Sequence, residues 1–118
     1  MSDMREPADF SLQTMLSWQK RMMDAHPEWM RDCPENGGYK LLWMTGELGE
    51  VIDVLKKNGV GAVMNEPDVR AHFTEELSDV LMYFSDVLLS YGITPAELRT
   101  AYRKKVNRHL PVRPLEED

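Results

Sequence analysis

With 118 residues the chain has room for one domain of ordinary size. Hydrophobic residues make up 42% and charged residues 29%, a balance that excludes a disordered chain, a collagen-like fibre and a membrane-spanning protein. Fourteen Lys and Arg against twenty Asp and Glu leave a net charge of −6. Such a surface repels a phosphate backbone, so a nucleic-acid groove is not expected.

Residues 1–10 read as an N-terminal arm, without the apolar core of a signal peptide. Ser11 is placed to cap a first helix carrying Leu12, Met15, Leu16 and Met22 on a 3.6-residue rhythm. Pro27 and Pro34 bracket a short piece with Trp29 and Met30, and Glu35 to Gly38 reads as a loop. The single cysteine in this stretch, Cys33, has no partner for an internal disulfide, and the expected compartment is a reducing cytoplasm.

A second helix is predicted from about Tyr39 to Lys57, with two lysines favourably placed at its end and Gly59 just beyond. Residues 58–66 form a predicted connection. A third helix follows from about Pro67 to Tyr91 and stops at Gly92. Its apolar stretch from Val80 to Ile93 is broken by Ser85, Asp86 and Ser90 and is too short to span a bilayer. Thr94-Pro95-Ala96-Glu97 is a capping box with proline at the first helical position, so a fourth helix runs from there to about His109. Residues 112–118 are expected to fray. With no strand pattern anywhere, the predicted fold is all-α. The expected architecture is an antiparallel four-helix bundle over residues 11–111, with apolar faces wide enough to seek a partner subunit.

Two short motifs carry chemistry. Glu47-Leu-Gly-Glu50 and Glu76-Leu-Ser-Asp79 each place two carboxylates three residues apart, on one side of a helix. On the second helix Lys40, Trp43, Glu47, Glu50 and Val54 follow steps of three and four; on the third, Val69, His72, Glu76, Asp79, Tyr83 and Val87 do the same. Each acid pair lies beside an apolar stripe: Leu41, Met44, Leu48, Val51, Ile52 and Leu55 on one helix, Phe73, Leu77, Val80, Leu81, Phe84 and Leu88 on the other. Packing those stripes together is expected to bring the four acids to one seam. Four unpaired carboxylates repel, and few basic residues stand beside them, so a bound divalent cation is the economical remedy. Oxygen-only ligands favour Mg²⁺, with Mn²⁺ as a substitute.

The paired motif, Glu47-x-x-Glu50 and then Glu76-x-x-Asp79 after a gap of 25 residues, resembles the signature of the MazG-like all-α nucleoside triphosphate pyrophosphohydrolases. The sequence from Leu41 to Lys56 and that from Glu75 to Tyr83 are similar to core helices of the dCTP pyrophosphatase branch, and the likeness extends over residues 12–111. The resemblance implies Mg²⁺-dependent hydrolysis of a nucleoside triphosphate, of a deoxy or non-canonical kind, to monophosphate and pyrophosphate. It also implies a homodimer or homotetramer whose neighbouring subunits complete the pocket.

By position, the resemblance gives Glu47, Glu50, Glu76 and Asp79 to the metal, with Glu47 also orienting or deprotonating the attacking water. It gives the phosphates to a basic cluster around Asn107. Relatives carry a Lys four residues before that Asn and an Arg three after it, where this chain has Arg103 and Leu110. Arg103, Lys104 and Arg108 are the expected clamps, with Lys105 and Arg113 as alternates. Relatives also carry a further Glu where this chain has Gly46. Lys40 is placed either to reach a phosphate or to pair with an acid. Trp29 is the expected base platform, whereas Trp18 is expected in the core, and His72 beside Glu76 is expected to act from the surface.

Rival readings are a related helical enzyme acting on dUTP or phosphoribosyl-ATP, and a non-catalytic interaction module on the same scaffold. A ferritin-like di-iron bundle wants Glu-x-x-His, and Glu50 and Asp79 stand in the histidine positions.

Overall fold

The computed structural model describes residues 9–111 and Leu115, and the regular structure among them is entirely helical. The predicted arm and tail, apart from Asp9, Phe10 and Leu115, lie outside the described residues, as does Arg113. Helix α1 spans Leu12–Ala25, α2 Gly37–Asn65, α3 Pro67–Tyr91 and α4 Pro95–His109, with a 3-10 turn at Pro34–Asn36. Among the described residues no helix is long and apolar enough to cross a membrane.

The helix starts follow the capping chemistry of the sequence. Ser11 Oγ accepts the Thr14 N–H at 3.1 Å, and Thr94 Oγ1 accepts the Glu97 N–H at 3.1 Å. The Glu97 carboxylate returns the bond by accepting the Thr94 N–H at 3.2 Å. Gly92, left-handed at φ 64°, ends α3, and the Ile93 N–H then reaches the Leu88 carbonyl at 2.9 Å.

The predicted connection 58–66 is a correction. Helix continues to Asn65, interrupted at Gly59, whose φ of 85° and ψ of 159° would strain any residue with a β-carbon. Val63 beyond the break is buried, so the extra turn has apolar contact to hold it. The link proper shrinks to Glu66. Its N–H closes α2 on the Ala62 carbonyl at 2.8 Å, and its carbonyl opens α3 by accepting from Arg70 at 2.9 Å.

Helices α2 and α3 form an antiparallel hairpin. Lys40 faces Asp86, Trp43 faces Tyr83 and Glu47 faces Asp79, so residue numbers rise on one helix as they fall on the other. At the open end the tip of the Tyr91 ring lies where a β-carbon on Gly37 would stand, so glycine there lets the ring rest on the start of α2. Helix α1 packs on α3, where Met15 and Leu16 meet Leu88 and are ringed by Leu12, Phe84, Leu89, Ile93 and Leu98.

The hairpin seam differs from the one expected. Lys40 and Val54 are buried and Glu47 half-buried. Of the expected apolar stripes, Met44, Val51, Phe73, Val80, Phe84 and Leu88 are at least half-buried, while Leu41, Leu48, Ile52, Leu55, Leu77 and Leu81 remain exposed. Glu47, Glu76 and Asp79 therefore stand on the seam itself, and the exposed leucines and Ile52 flank it, facing solvent within one chain. Trp18, expected in the core, is also exposed and rests tilted against Phe10. Only six apolar side chains are buried among the described residues, and α4 buries none. The radius of gyration of 17.2 Å exceeds the value of about 13–14 Å for a compact domain of this length.

Candidate functional site

The antiparallel register brings Glu47 of α2 against Glu76 and Asp79 of α3. Each offers a carboxylate oxygen, and the three oxygens lie within 4.8 Å of one another, all on half-buried residues. Burial and the charges of Asp79, Glu76 and Glu50, in that order, hold the Glu47 carboxyl above the usual carboxylate range. This repulsion is the cost a cation would relieve. A Mg²⁺ ion binds oxygens at about 2.0–2.1 Å, which sets its ligand oxygens about 3–4 Å apart, so the three carboxylates fit a hard divalent ion with small adjustment.

The expected fourth ligand, Glu50, is exposed and stands outside this trio, acting on Glu47 through its charge. His72, one turn before Glu76, places Nε2 3.1 Å from Glu76 Oε1 and is itself exposed. It orients a carboxylate of the cluster without joining it.

Beside the trio lies a cavity of about 460 Å³, within the range of small-molecule sites. Trp29, Trp43 and Tyr83 wall it together with Met22, Met30 and Met82, and Glu47 and Asp79 stand at its rim with the metal-type ligands. Trp43 and Tyr83 meet edge to face, with ring centroids 6.0 Å apart. Trp29 is stacked on His26 at 3.9 Å with the planes 5° apart. Flat aromatic surfaces next to a carboxylate trio suit a planar ring joined to a metal-binding polyanion.

The floor is polar. Lys40, Asp86 and Gln19 line it, each almost wholly buried. Of the two roles open to Lys40 in the sequence, pairing with acids is the one the structure shows: its ammonium lies 3.3 Å from Asp32 and 3.4 Å from Asp86. Gln19, Asp32, Tyr83 and Asp86 were not singled out as site residues from the sequence. For Asp86 the signal was present, since Ser85, Asp86 and Ser90 interrupt an apolar run and all three are buried.

The expected phosphate clamps are elsewhere. Arg103, Lys104, Asn107 and Arg108 lie on α4, and none lines the cavity. Arg103 faces a groove between α4 and the start of α1. Asn107 pairs with the backbone of Leu115, donating from Nδ2 at 3.2 Å and accepting at Oδ1 at 2.6 Å. Within one chain, then, Trp29, Lys40, Glu47 and Asp79 share one cavity and the basic end of α4 does not join them.

Compared with protein-family models, curated proteins and solved structures, the chain shows no match in any of the three.

Proposed function

We propose that this chain is a Mg²⁺-dependent pyrophosphohydrolase that cleaves a nucleoside triphosphate to the monophosphate and pyrophosphate. One observation carries the reading: two members of a carboxylate trio with oxygens within 4.8 Å, Glu47 and Asp79, line a cavity walled by Trp29, Trp43 and Tyr83. A base stacks on aromatic faces irrespective of its identity, and a triphosphate reaches an acidic cluster only where metal reverses the local charge. A divalent ion there would polarise the reacting phosphoryl group and acidify a bound water. The chain's own part is to orient. Glu76 is held by His72, and Glu47, which lines the cavity beside Asp79, is placed to accept a proton from water.

The phosphate clamp requires a second copy in this reading. Leu41, Leu48, Ile52 and Leu55 on α2 and Leu77 and Leu81 on α3 remain exposed beside the site. A homodimer or homotetramer that buries them would close the helical bundle between copies and carry the basic end of a neighbouring α4 toward the carboxylates. Light scattering on the eluting protein at micromolar concentration is expected to give a mass of two chains or a multiple, and Leu48→Arg with Ile52→Arg is expected to reduce it. A wild-type monomer would exclude the shared bundle.

The activity is tested by incubating the chain with ribo- and deoxyribonucleoside triphosphates and Mg²⁺ and separating products by ion exchange. Monophosphate with pyrophosphate is the expected pair. Diphosphate with phosphate would place the attack on the wrong phosphorus, and no turnover of any triphosphate would overturn the reading in favour of an interaction module.

A further inference from the structure

The cavity floor holds charges that metal binding does not use. Lys40 Nζ, on α2, donates to the Met30 carbonyl at 2.9 Å and to Asp86 Oδ2 on α3 at 3.4 Å, and it pairs with Asp32 Oδ1 at 3.3 Å. Asp86 Oδ1 also accepts from Gln19 Nε2 on α1 at 2.8 Å. Two helices and the segment between α1 and α2 therefore meet at one ammonium group, and α1 joins them through Asp86. The Lys40 and Asp86 side chains are each 4% exposed and that of Asp32 is 10% exposed. The contact of Asp32 with Lys40 is an ion pair without hydrogen-bond geometry, and neither Asp32 oxygen has a hydrogen-bond partner.

Two carboxylates on one ammonium leave a buried negative charge in surplus, and an apolar trio would join these elements at lower cost. What the charges add is a fixed attachment for residues 26–36. That segment is tied into a tight loop by Arg31, which donates to the carbonyls of Met23, His26 and Trp29. The Lys40–Met30 bond fastens the loop to α2, one residue from Trp29. The wall of the cavity is thus held from its floor.

We propose that Lys40, gripped by Asp32 and Asp86, is a positioning residue that sets the Trp29 wall of the cavity, and that a proton on Asp32 tightens the grip. The inference rests on the nucleotide reading of that cavity. Protonated Asp32 becomes a donor to the neighbouring Asp86 carboxylate, and the cluster then balances one cation against one anion. The charged groups around Asp32 are Lys40 from α2, Asp86 from α3, Lys20 and Asp24 across the adjoining cleft from α1, and Arg31 on its own segment. Burial first, and then Asp86, push the Asp32 carboxyl up to about 6 against the pull of Lys40, so the proton exchanges near neutral pH.

The test is pyrophosphate release from the best triphosphate at saturating Mg²⁺ between pH 5.5 and 8. The charge-free variant Lys40→Met with Asp32→Asn and Asp86→Asn is expected to raise KM about tenfold while kcat stays within about threefold. Asp32→Asn, which keeps Lys40 and imitates the protonated acid, is expected to hold a low KM throughout, whereas the wild-type KM climbs through pH 6. An unchanged KM in the charge-free variant, with only its melting temperature altered, would reduce the cluster to a structural role and overturn the inference. Parallel pH profiles for wild type and Asp32→Asn would remove the proton from it. If wild type hydrolyses no triphosphate, the functional reading fails and the clasp is judged by Trp29 alone. In a Trp18→Phe and Trp43→Phe background, acrylamide quenching of Trp29 must rise when the three cluster substitutions are added. Unchanged quenching would overturn the clasp too.

Discussion

Asp79→Asn is expected to cut pyrophosphate release by about a thousandfold or more, the scale of losing several kcal/mol of charge stabilisation at a metal-assisted step. Asp79 is the acid that ties the trio together, since it faces Glu47 across the hairpin and shares a helix face with Glu76. After burial, its negative charge does most to hold the Glu47 carboxyl above the usual carboxylate range. Neutralising it leaves the helix intact and removes repulsion, so the metal-free melting temperature is expected to hold or rise slightly. The rise in melting temperature on adding Mg²⁺, which follows from binding to the native state alone, is expected to vanish. Glu50→Gln is the informative companion. Because Glu50 is exposed and outside the trio, its loss is expected to cost about tenfold at most, the scale of one solvated charge. Equal losses for the two variants would mean that all four acids assemble when the ligands bind. An unchanged Mg²⁺ response in Asp79→Asn would remove the metal from this site.

The parts of this fold that were legible in the sequence are those fixed by local chemistry. Ser11, Thr94, Glu97 and Gly92 act within one turn of themselves, so their caps were readable without knowing what the helices pack against. The acids of the two motifs were readable as sharing helix faces for the same reason. What periodicity could not give was which face turns inward. The most apolar stripe of α2 was expected at the seam, but Lys40, Trp43 and Glu47 occupy it, because the interface is built from paired charges and rings as much as from aliphatic burial. An apolar stripe left exposed in one chain has a solution that a single chain cannot display. The segment 26–36 was opaque on different grounds. Its shape comes from Arg31 and Lys40 reaching backbone carbonyls, and such contacts leave no periodic trace. Gln19 and Asp86 did leave a trace as polar residues on apolar faces, and read that way they point to the cavity floor.

Lys40→Met and Asp32→Asn are expected to move stability in opposite directions. Removing Lys40 strips two buried carboxylates of their shared cation, which on the scale of broken buried ion pairs costs about 3–5 kcal/mol. Removing the Asp32 charge does the reverse. Its carboxyl titrates at about 6 in the folded protein against 3.8 as a free side chain, so between those values the folded chain keeps a proton that the unfolded chain has released. The stability it contributes is complete below about pH 4 and is lost as pH rises through about 6. At one pH unit per 1.4 kcal/mol, the accumulated loss at neutral pH is about 2–3 kcal/mol. Asp32→Asn should recover it, melting several degrees above wild type at pH 7.5 and level with it near pH 4. Urea unfolding of wild type and variant at matched pH values measures the difference directly. A destabilised Asp32→Asn at pH 7.5 would mean that Lys40 holds the charge of Asp32 more strongly than burial and Asp86 oppose it. The lone ammonium would then be stabilising both acids at once.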